Sequence, residues 1–356
     1  MSSLGAALTG NLPGVITVAT QGTPGAEDPK IYIRGQSTWN NSDPLVLVDG
    51  IERPMSSVDI GSVENISVLK DASATAVFGV KGANGVILIT TKRGKEGKAD
   101  IRLTANSTMK LPSKLESKYD SYDALRVRDM AIENELGVSP SSWGKYVPFA
   151  ELEKYRHPAN QAEAERYPNV DWQDQIVKKF TMSYNANLNI SGGNKFVKYF
   201  SSVDFLHEGD IIKKIDNNKS YKPGYGFDRI NAGTNLDFTL TKSTTLTTNL
   251  SGSYGVKQDA WGQDSWEYRI WQSIYSNAPD IYYPRYDDGG WGYFPAEQVS
   301  TINSAATMGN NGVRKTTTTR INTDFTLRQD LGAILKGLAA KATLSFDNAF
   351  VTQGDL

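Results

Sequence analysis

Beyond residue 100 the chain alternates apolar and polar residues with a period of two, and nothing else restricts its fold as strongly. In 181–190, Met182, Tyr184, Ala186, Leu188 and Ile190 alternate with Thr181, Ser183, Asn185, Asn187 and Asn189. In 229–240 the apolar set is Ile230, Ala232, Leu236, Phe238 and Leu240, and in 246–256 it is Leu246, Leu250, Tyr254 and Val256. The same parity runs through 321–328 (Ile321, Phe325, Leu327) and 338–347 (Leu338, Ala340, Ala342, Leu344, Phe346). A period of two puts successive side chains on opposite faces of a strand, so each segment predicts a strand with one oily and one wet face. Each is also about as long as the ~9–11 residues that a tilted strand needs to cross a bilayer.

Alternation alone fits a soluble antiparallel sheet equally well, and such sheets are the commoner case. The links favour the other reading. Short connections (191–195, 241–243, 330–337) alternate with long ones (110–180, 207–226, 257–315), which is the pattern of membrane barrels with tight turns at one rim and long loops at the other. With a further strand at 101–109, every short link falls on one side, and about seven strands are expected. Long loops inside a compact soluble domain would count against a soluble assignment.

The first hundred residues read differently. Val15–Val18, Ile31–Gly35, Leu45–Gly50, Ile66–Leu69 and Gly85–Thr90 are short apolar strands bounded by Gly, Pro, Asp or Asn, which predicts a compact unit of about five small strands. Between two of them lies Val68-Leu69-Lys70-Asp71-Ala72-Ser73-Ala74-Thr75-Ala76-Val77-Phe78-Gly79, a short Ala-rich helical pattern that must pack on a neighbour, because isolated short helices are marginal in water.

Composition narrows the functions. The 38 basic and 39 acidic residues leave a net charge of -1, so no field points to nucleic acid. With no cysteine and two histidines (His157 and His207, in unrelated contexts), thiolate chemistry is excluded and a metal site is not expected. No phosphate loop, nucleophile elbow or HExxH pattern is present, so no catalytic residue is assigned and an enzyme is not expected. No secretory leader is visible at Met1, which fits either a cytoplasmic protein or an internal piece of a longer exported chain.

The N-terminal wording resembles the plug-domain signature of SusC/RagA-type TonB-dependent outer-membrane transporters. The residues that carry it are Ile31-Tyr32-Ile33-Arg34-Gly35, Asp43-Pro44-Leu45-Val46-Leu47-Val48-Asp49-Gly50, Val63–Asp71, and the helical run through Gly79 to Ala83-Asn84-Gly85. Asp171-Trp172-Gln173-Asp174 and Ser191-Gly192-Gly193 are similar to the family's first barrel hairpin and the motif before it. The resemblance implies an α+β plug domain (1–98) followed by the N-terminal part of a large antiparallel transmembrane β-barrel (99–356), with both ends of the protein extending beyond this chain. A chain of that kind would leave strand edges open and aggregate if expressed alone.

The same resemblance implies TonB-dependent import of oligosaccharides or oligopeptides across the outer membrane of a Gram-negative bacterium. The partners would be TonB, a SusD-like surface lipoprotein and outer-membrane lipid, with no cofactor. The plug-signature residues are Arg34, Gly35, Asp49, Gly50, Glu64, Lys70, Asp71, Gly79, Asn84 and Gly85. Among them, the charges of Arg34 and Glu64 are expected either to pair with the barrel wall or to satisfy each other or solvent. In the long link 257–315, Trp261, Trp266, Trp271, Tyr282, Tyr283 and Trp291 are candidate contacts for substrate or partner; the alternative is that these rings form an outer aromatic girdle or pack the loop onto neighbouring loops. The alternatives for function are a siderophore- or cobalamin-type receptor, which the signature wording disfavours, and, from another class, a surface adhesin or soluble glycan-binding β protein.

Overall fold

The computed structural model describes the chain except residues 1–3, 19–21, 27–28, 34, 36–41, 71–76, 136–139, 261–265, 294–301 and 356, together with the side chains at 6, 140, 266, 267 and 355. Arg34, Asp71 and Trp261 therefore lie outside the described residues, as do the side chain of Trp266 and most of the expected Ala-rich helix, of which Val77 and Phe78 are helical.

The N-terminal unit holds a two-stranded sheet, β1 (Val15–Val18) with β2 (Lys30–Ile33), and a four-stranded sheet. The latter consists of β3 (Leu45–Val48), β4 (Ile51–Glu52), β5 (Val63–Leu69) and β6 (Val86–Thr91), in the order β4-β3-β6-β5. β4 adds to the expected set: Ile51–Glu52 turns back on β3 through a two-residue loop, Asp49-Gly50. Both loop residues have positive φ (51° and 92°), the backbone that an Asp-Gly hairpin turn requires. Ile87 and Ile89 of β6 are buried with Ile31, Ile33, Val48 and Val58 under the short helix Leu4–Leu8, which forms a small self-contained core.

Seven antiparallel strands follow in sequence order, each bonded to the next. They are β7 (Gly97–Lys110), β8 (Thr181–Gly193), β9 (Val197–Gly209), β10 (Gly226–Thr239), β11 (Thr244–Ala260), β12 (Val313–Asp330) and β13 (Ala339–Asp355). Register confirms the parity read from the alternation. Ile230 stands opposite Phe205 and Tyr254, and Phe325 opposite Leu344, so the apolar residues share one face. On that face Leu103, Phe205, Ile230, Ile321, Leu344 and Phe346 are all exposed. On the other, Asn187, Ser202, Asp204, Asn231, Asn322 and Asp324 are buried. This wet face is covered by the N-terminal unit.

Short turns join β8 to β9, β10 to β11 and β12 to β13 at one rim. The long links at the opposite rim fold into a layer of their own. Its helices include Ser121–Glu135, Trp172–Ile176, Trp266–Ser276 and Ser304–Asn310. They share a core of Trp172, Ile176, Ile212, Ile270, Ile274, Tyr282 and Met308. Among the described residues no helix is long and apolar enough to cross a membrane.

An apolar face seven strands wide, exposed along its length, needs an apolar solvent. In aqueous buffer without detergent this chain is expected to aggregate, and in detergent to give a discrete species by size-exclusion chromatography. A monodisperse species melting cooperatively in buffer alone would contradict that reading of the face.

Candidate functional site

The most heavily charged contact in the molecule joins the N-terminal unit to the wet face of the wall, and its centre is Arg53. This residue follows β4 and precedes Pro54, so the Asp49-Gly50 hairpin turn and the proline aim it outward from the small sheet. Its Nη1 donates to Asp324 Oδ2 at 2.8 Å, and Nη2 reaches Asp324 Oδ1, a two-pronged pairing with β12. Nε and Nη2 also donate to Asp347 on β13, at 3.0 and 2.7 Å. Ser345 buttresses the arrangement by donating to Asp324 Oδ1 at 2.6 Å. The side chains of Arg53 and Asp324 are 7% and 4% exposed. Burial alone would lower the guanidinium's pKa, but the hydrogen bonds and charges of Asp324 and Asp347 outweigh it and raise the value, so Arg53 stays charged at any working pH.

A second clamp sits at the end of β6. Arg93 Nη1 donates to Asn249 on β11 at 2.7 Å and lies 3.6 Å from Asp237 on β10, while Nη2 reaches Asp49 at 3.4 Å. Asp49 is held in turn by the backbone N–H and hydroxyl of Thr91, at 3.0 and 2.6 Å. Asn235 of the wall donates to Thr91 Oγ1 and to the Lys92 carbonyl at 2.9 and 2.8 Å. The Asp-Gly turn thus makes two contributions: it closes a hairpin and orients the arginine that grips the wall.

A third contact is of opposite character. Asp59 caps the turn Ile60–Ser62 by accepting the Gly61 N–H at 2.9 Å and takes a bond from Asn187 of β8 at 3.3 Å. Burial pushes its pKa up, and the Asp204 carboxylate on β9 adds to the rise; Gly61, Arg229 and Asn187 oppose it. Close approach makes these contacts possible. A Cβ on Gly61 would meet Asn187 Nδ2 at 2.3 Å, and one on Gly94 would meet the Tyr199 backbone at 2.3 Å. Between the clamps lies a cavity of about 70 Å³ lined by Val48, Arg53, Asn231, Asn249, Ser251 and Asn322, polar and roomy enough for water.

The signature residues distribute unevenly around this interface. Asp49 and Gly50 belong to it. Lys70 ties the end of β5 to the Pro13 carbonyl, and Asn84 donates to the Asp43 carbonyl at 3.4 Å, both within the N-terminal unit. Gly35 follows β2, Gly79 opens a 3-10 turn, and Gly85 leads into β6. Of the two alternatives for Glu64, the solvent one fits its place: it is exposed beside a cavity of about 410 Å³ near the short-turn rim, and the buried acid of the N-terminal unit that bonds the wall is Asp59. Arg53, Arg93 and Asp59 escaped the sequence reading because nothing local marks them. The available signal was on the partner side, as isolated acids (Asp204, Asp237, Asp324, Asp347) at wet-face positions.

The described loop aromatics follow the packing alternative. Tyr282 is 3% exposed and packs edge-to-face on Trp172 at 5.4 Å, so it is a core residue. Trp271 and Tyr283 pack against the same core. Trp291 carries the guanidinium of Arg285 4.8 Å from its ring centre. The pillar of this layer is Trp172, whose indole donates to the Ala278 carbonyl at 3.1 Å, while Asp171 caps the helix beneath it.

Residues 1–86 match the family model described as TonB-dependent Receptor Plug Domain. The TonB-dependent receptor SusC of Bacteroides thetaiotaomicron is 35% identical over 217 residues, 58% of this chain and 19% of that protein. The TonB-dependent receptor P3 of Formosa agariphila is 28% identical over 305 residues, 84% of this chain and 25% of that protein. The chain therefore spans about a fifth to a quarter of the curated relatives it matches. Among solved structures, that of the RagAB peptide transporter superimposes with a TM-score of 0.76 at 19% identity, covering 100% of this chain and 40% of that one.

Removing Arg53 leaves Asp324 and Asp347 facing each other with no cation between them. Arg53→Ala is expected to weaken docking of the N-terminal unit by about 3–5 kcal/mol, and Arg53→Lys to recover only part of this because it loses the two-pronged geometry. Faster hydrogen exchange over 45–69 with unchanged exchange in β8–β12 would register it. Asp59 gives a pH test. A carboxyl whose folded-state pKa is raised binds its proton more tightly when docked, so docking is tightest below the ordinary carboxylate range and weakens as pH rises through the raised value. Asp59→Asn, which retains an acceptor for Gly61, is expected to flatten this dependence above the ordinary carboxylate range in the same exchange measurement.

Proposed function

For a chain that carries the plug domain and seven barrel strands of a SusC/RagA-type TonB-dependent receptor, we propose that it serves gated import of an oligomeric nutrient across the outer membrane. The observation that carries the proposal is the Arg53 clamp: a folded plug unit is pinned by a few charged bonds to a wall that is wet inside and apolar outside. Such an interface holds the pore shut at rest and still yields to a directed pull. Much of its remaining area is Asn, Ser, Thr and Gly around a small cavity, with Val48, Val58, Phe200 and Leu250 among them. TonB supplies the pull, drawing on the inner-membrane proton gradient, and a SusD-like lipoprotein covers the loop layer. The imported class is an oligosaccharide or oligopeptide.

On this reading residues 1–98 are the plug and 99–356 barrel strands with their outer loops. The signature residues Asp49, Gly50, Lys70, Asn84 and Gly85 shape the plug and touch no substrate. No side chain is assigned covalent chemistry; the work is binding, gating and release. Outer-membrane lipid covers the apolar face.

The test is uptake of labelled oligosaccharides and oligopeptides by cells carrying the complete receptor. Uptake is expected to need TonB, and Arg53→Ala is expected to admit small solutes that the wild-type pore excludes. TonB-independent uptake, or a pore that leaks no more after the substitution, would refute the gating role.

A further inference from the structure

The three short turns of the wall share a composition that the gate does not explain. Turns in water are mostly polar, yet each of these carries an exposed apolar residue within two positions of an exposed lysine. They are Phe196 with Lys195, Leu240 with Lys242, and Ile334 and Leu335 with Lys336. We propose that this rim is a collar for anionic glycerophospholipid: the apolar residues enter the lipid interface and the lysines hold headgroup phosphates. The proposal rests on the reading that lipid covers the apolar face, and adds which lipid that face selects along one edge.

Three observations carry it. First, the turns continue the apolar face. Phe196 meets Phe238, an outward residue of β10, edge to face with ring centres 6.1 Å apart. Leu240 and Leu338 keep the outward parity of β10 and β13 past the strand ends. Residues 331–335 form one helical turn, closed by the Leu335 N–H on the Leu331 carbonyl at 3.1 Å, and Ile334 and Leu335 are left 76% and 64% exposed.

Second, the turns lie at headgroup depth. On β13 the outward positions from Leu338 to Phe350 are apolar except Asn348, and give way to Thr352 and Gly354. The twelve residues from Leu338 to Phe350, at ~3.3 Å each and a tilt of ~40°, span about 30 Å, the thickness of a bilayer's hydrocarbon core. The apolar band therefore ends at the turns, where apolar side chains and lysines can lie along the interface together.

Third, the charge has one sign. Among the described residues no acid lies in the turns between the strand ends, and none stands at an outward position from the Phe350 row down to them. Asp237 and Asp330 take the wet-face parity; the first accepts from Thr247 at 2.8 Å beside Arg93, the second accepts the Gly332 N–H at 2.7 Å. Among the described residues none pairs with Lys195, Lys242 or Lys336. Cations at the edge of an apolar face match an anionic headgroup. An acidic protein would satisfy the lysines but not the continuity of turn and wall.

The experiment uses the complete receptor in neutral detergent, titrated with phosphatidylglycerol or with phosphatidylethanolamine of the same chains, and counts retained lipid by native mass spectrometry. Phosphatidylglycerol is expected to be retained about five- to tenfold more strongly. Lys195→Gln, Lys242→Gln and Lys336→Gln together are expected to bring the two lipids within about twofold, and Lys→Arg at the same positions to keep the preference. Ile334→Ser with Leu335→Ser is expected to weaken both lipids by roughly three- to tenfold. Melting curves matching wild type show that the variants fold. Equal retention of the two lipids, a preference that survives the glutamine variant or is lost in the arginine one, displacement of phosphatidylglycerol by inorganic phosphate at equal concentration, or a serine variant that binds like wild type would overturn the collar. Retention of neither lipid would overturn the membrane reading of the face as well, whereas equal retention overturns the collar alone.

Discussion

The seven-stranded wall is bonded strand to strand along its whole length, and its side chains therefore have only two places to go. One face meets an apolar environment and the other an enclosed polar one. Every other part of the molecule answers to that division. The plug must present polar groups to a polar wall, so its own apolar residues turn inward around Ile87 and Ile89 and form a core that owes nothing to the barrel. The outer loops cannot borrow a core from the wall either, and they build one around Trp172 and Ile274.

A small number of charges joins the plug to the wall across their interface. Arg53 bridges two strands at once, Arg93 joins two more, and Asp59 faces Asp204 across the seam. Two of these contacts hold and the third pushes. A buried ion pair is poor evidence of net stability, since desolvation offsets much of its gain, but it makes docking specific and makes its rupture abrupt. Gly61 and Gly94 matter for the same reason: a methyl group at either would hold the plug off the wall and lengthen every one of these bonds.

Most of the architecture was legible in the chain. The parity of Ile230, Leu250, Ile321 and Leu344 placed each strand's faces correctly, and the alternation of short and long links placed the two rims. The plug signature led to the right family. The gripping residues were another matter. For Glu64 the local pattern left wall and solvent open and the structure has it facing solvent, while Arg53 sits in a loop with no pattern around it. Likewise Tyr282 and Tyr275 read alike in an aromatic-rich link, and only packing separates the core ring from the exposed one.

What the sequence determined by itself is what local periodicity controls: which residues share a face, where the chain turns, and that a small α/β unit precedes a two-faced sheet. Alternation and turn chemistry act over two to ten residues, so they survive in a single sequence. What only the tertiary structure decided is which distant charges meet. Arg53 lies 271 residues from Asp324 and 294 from Asp347, and their encounter depends on the hairpin at Asp49-Gly50, the curvature of seven strands and the seating of one unit in the other. No short-range pattern records a contact of that span, because it is a property of the assembled geometry.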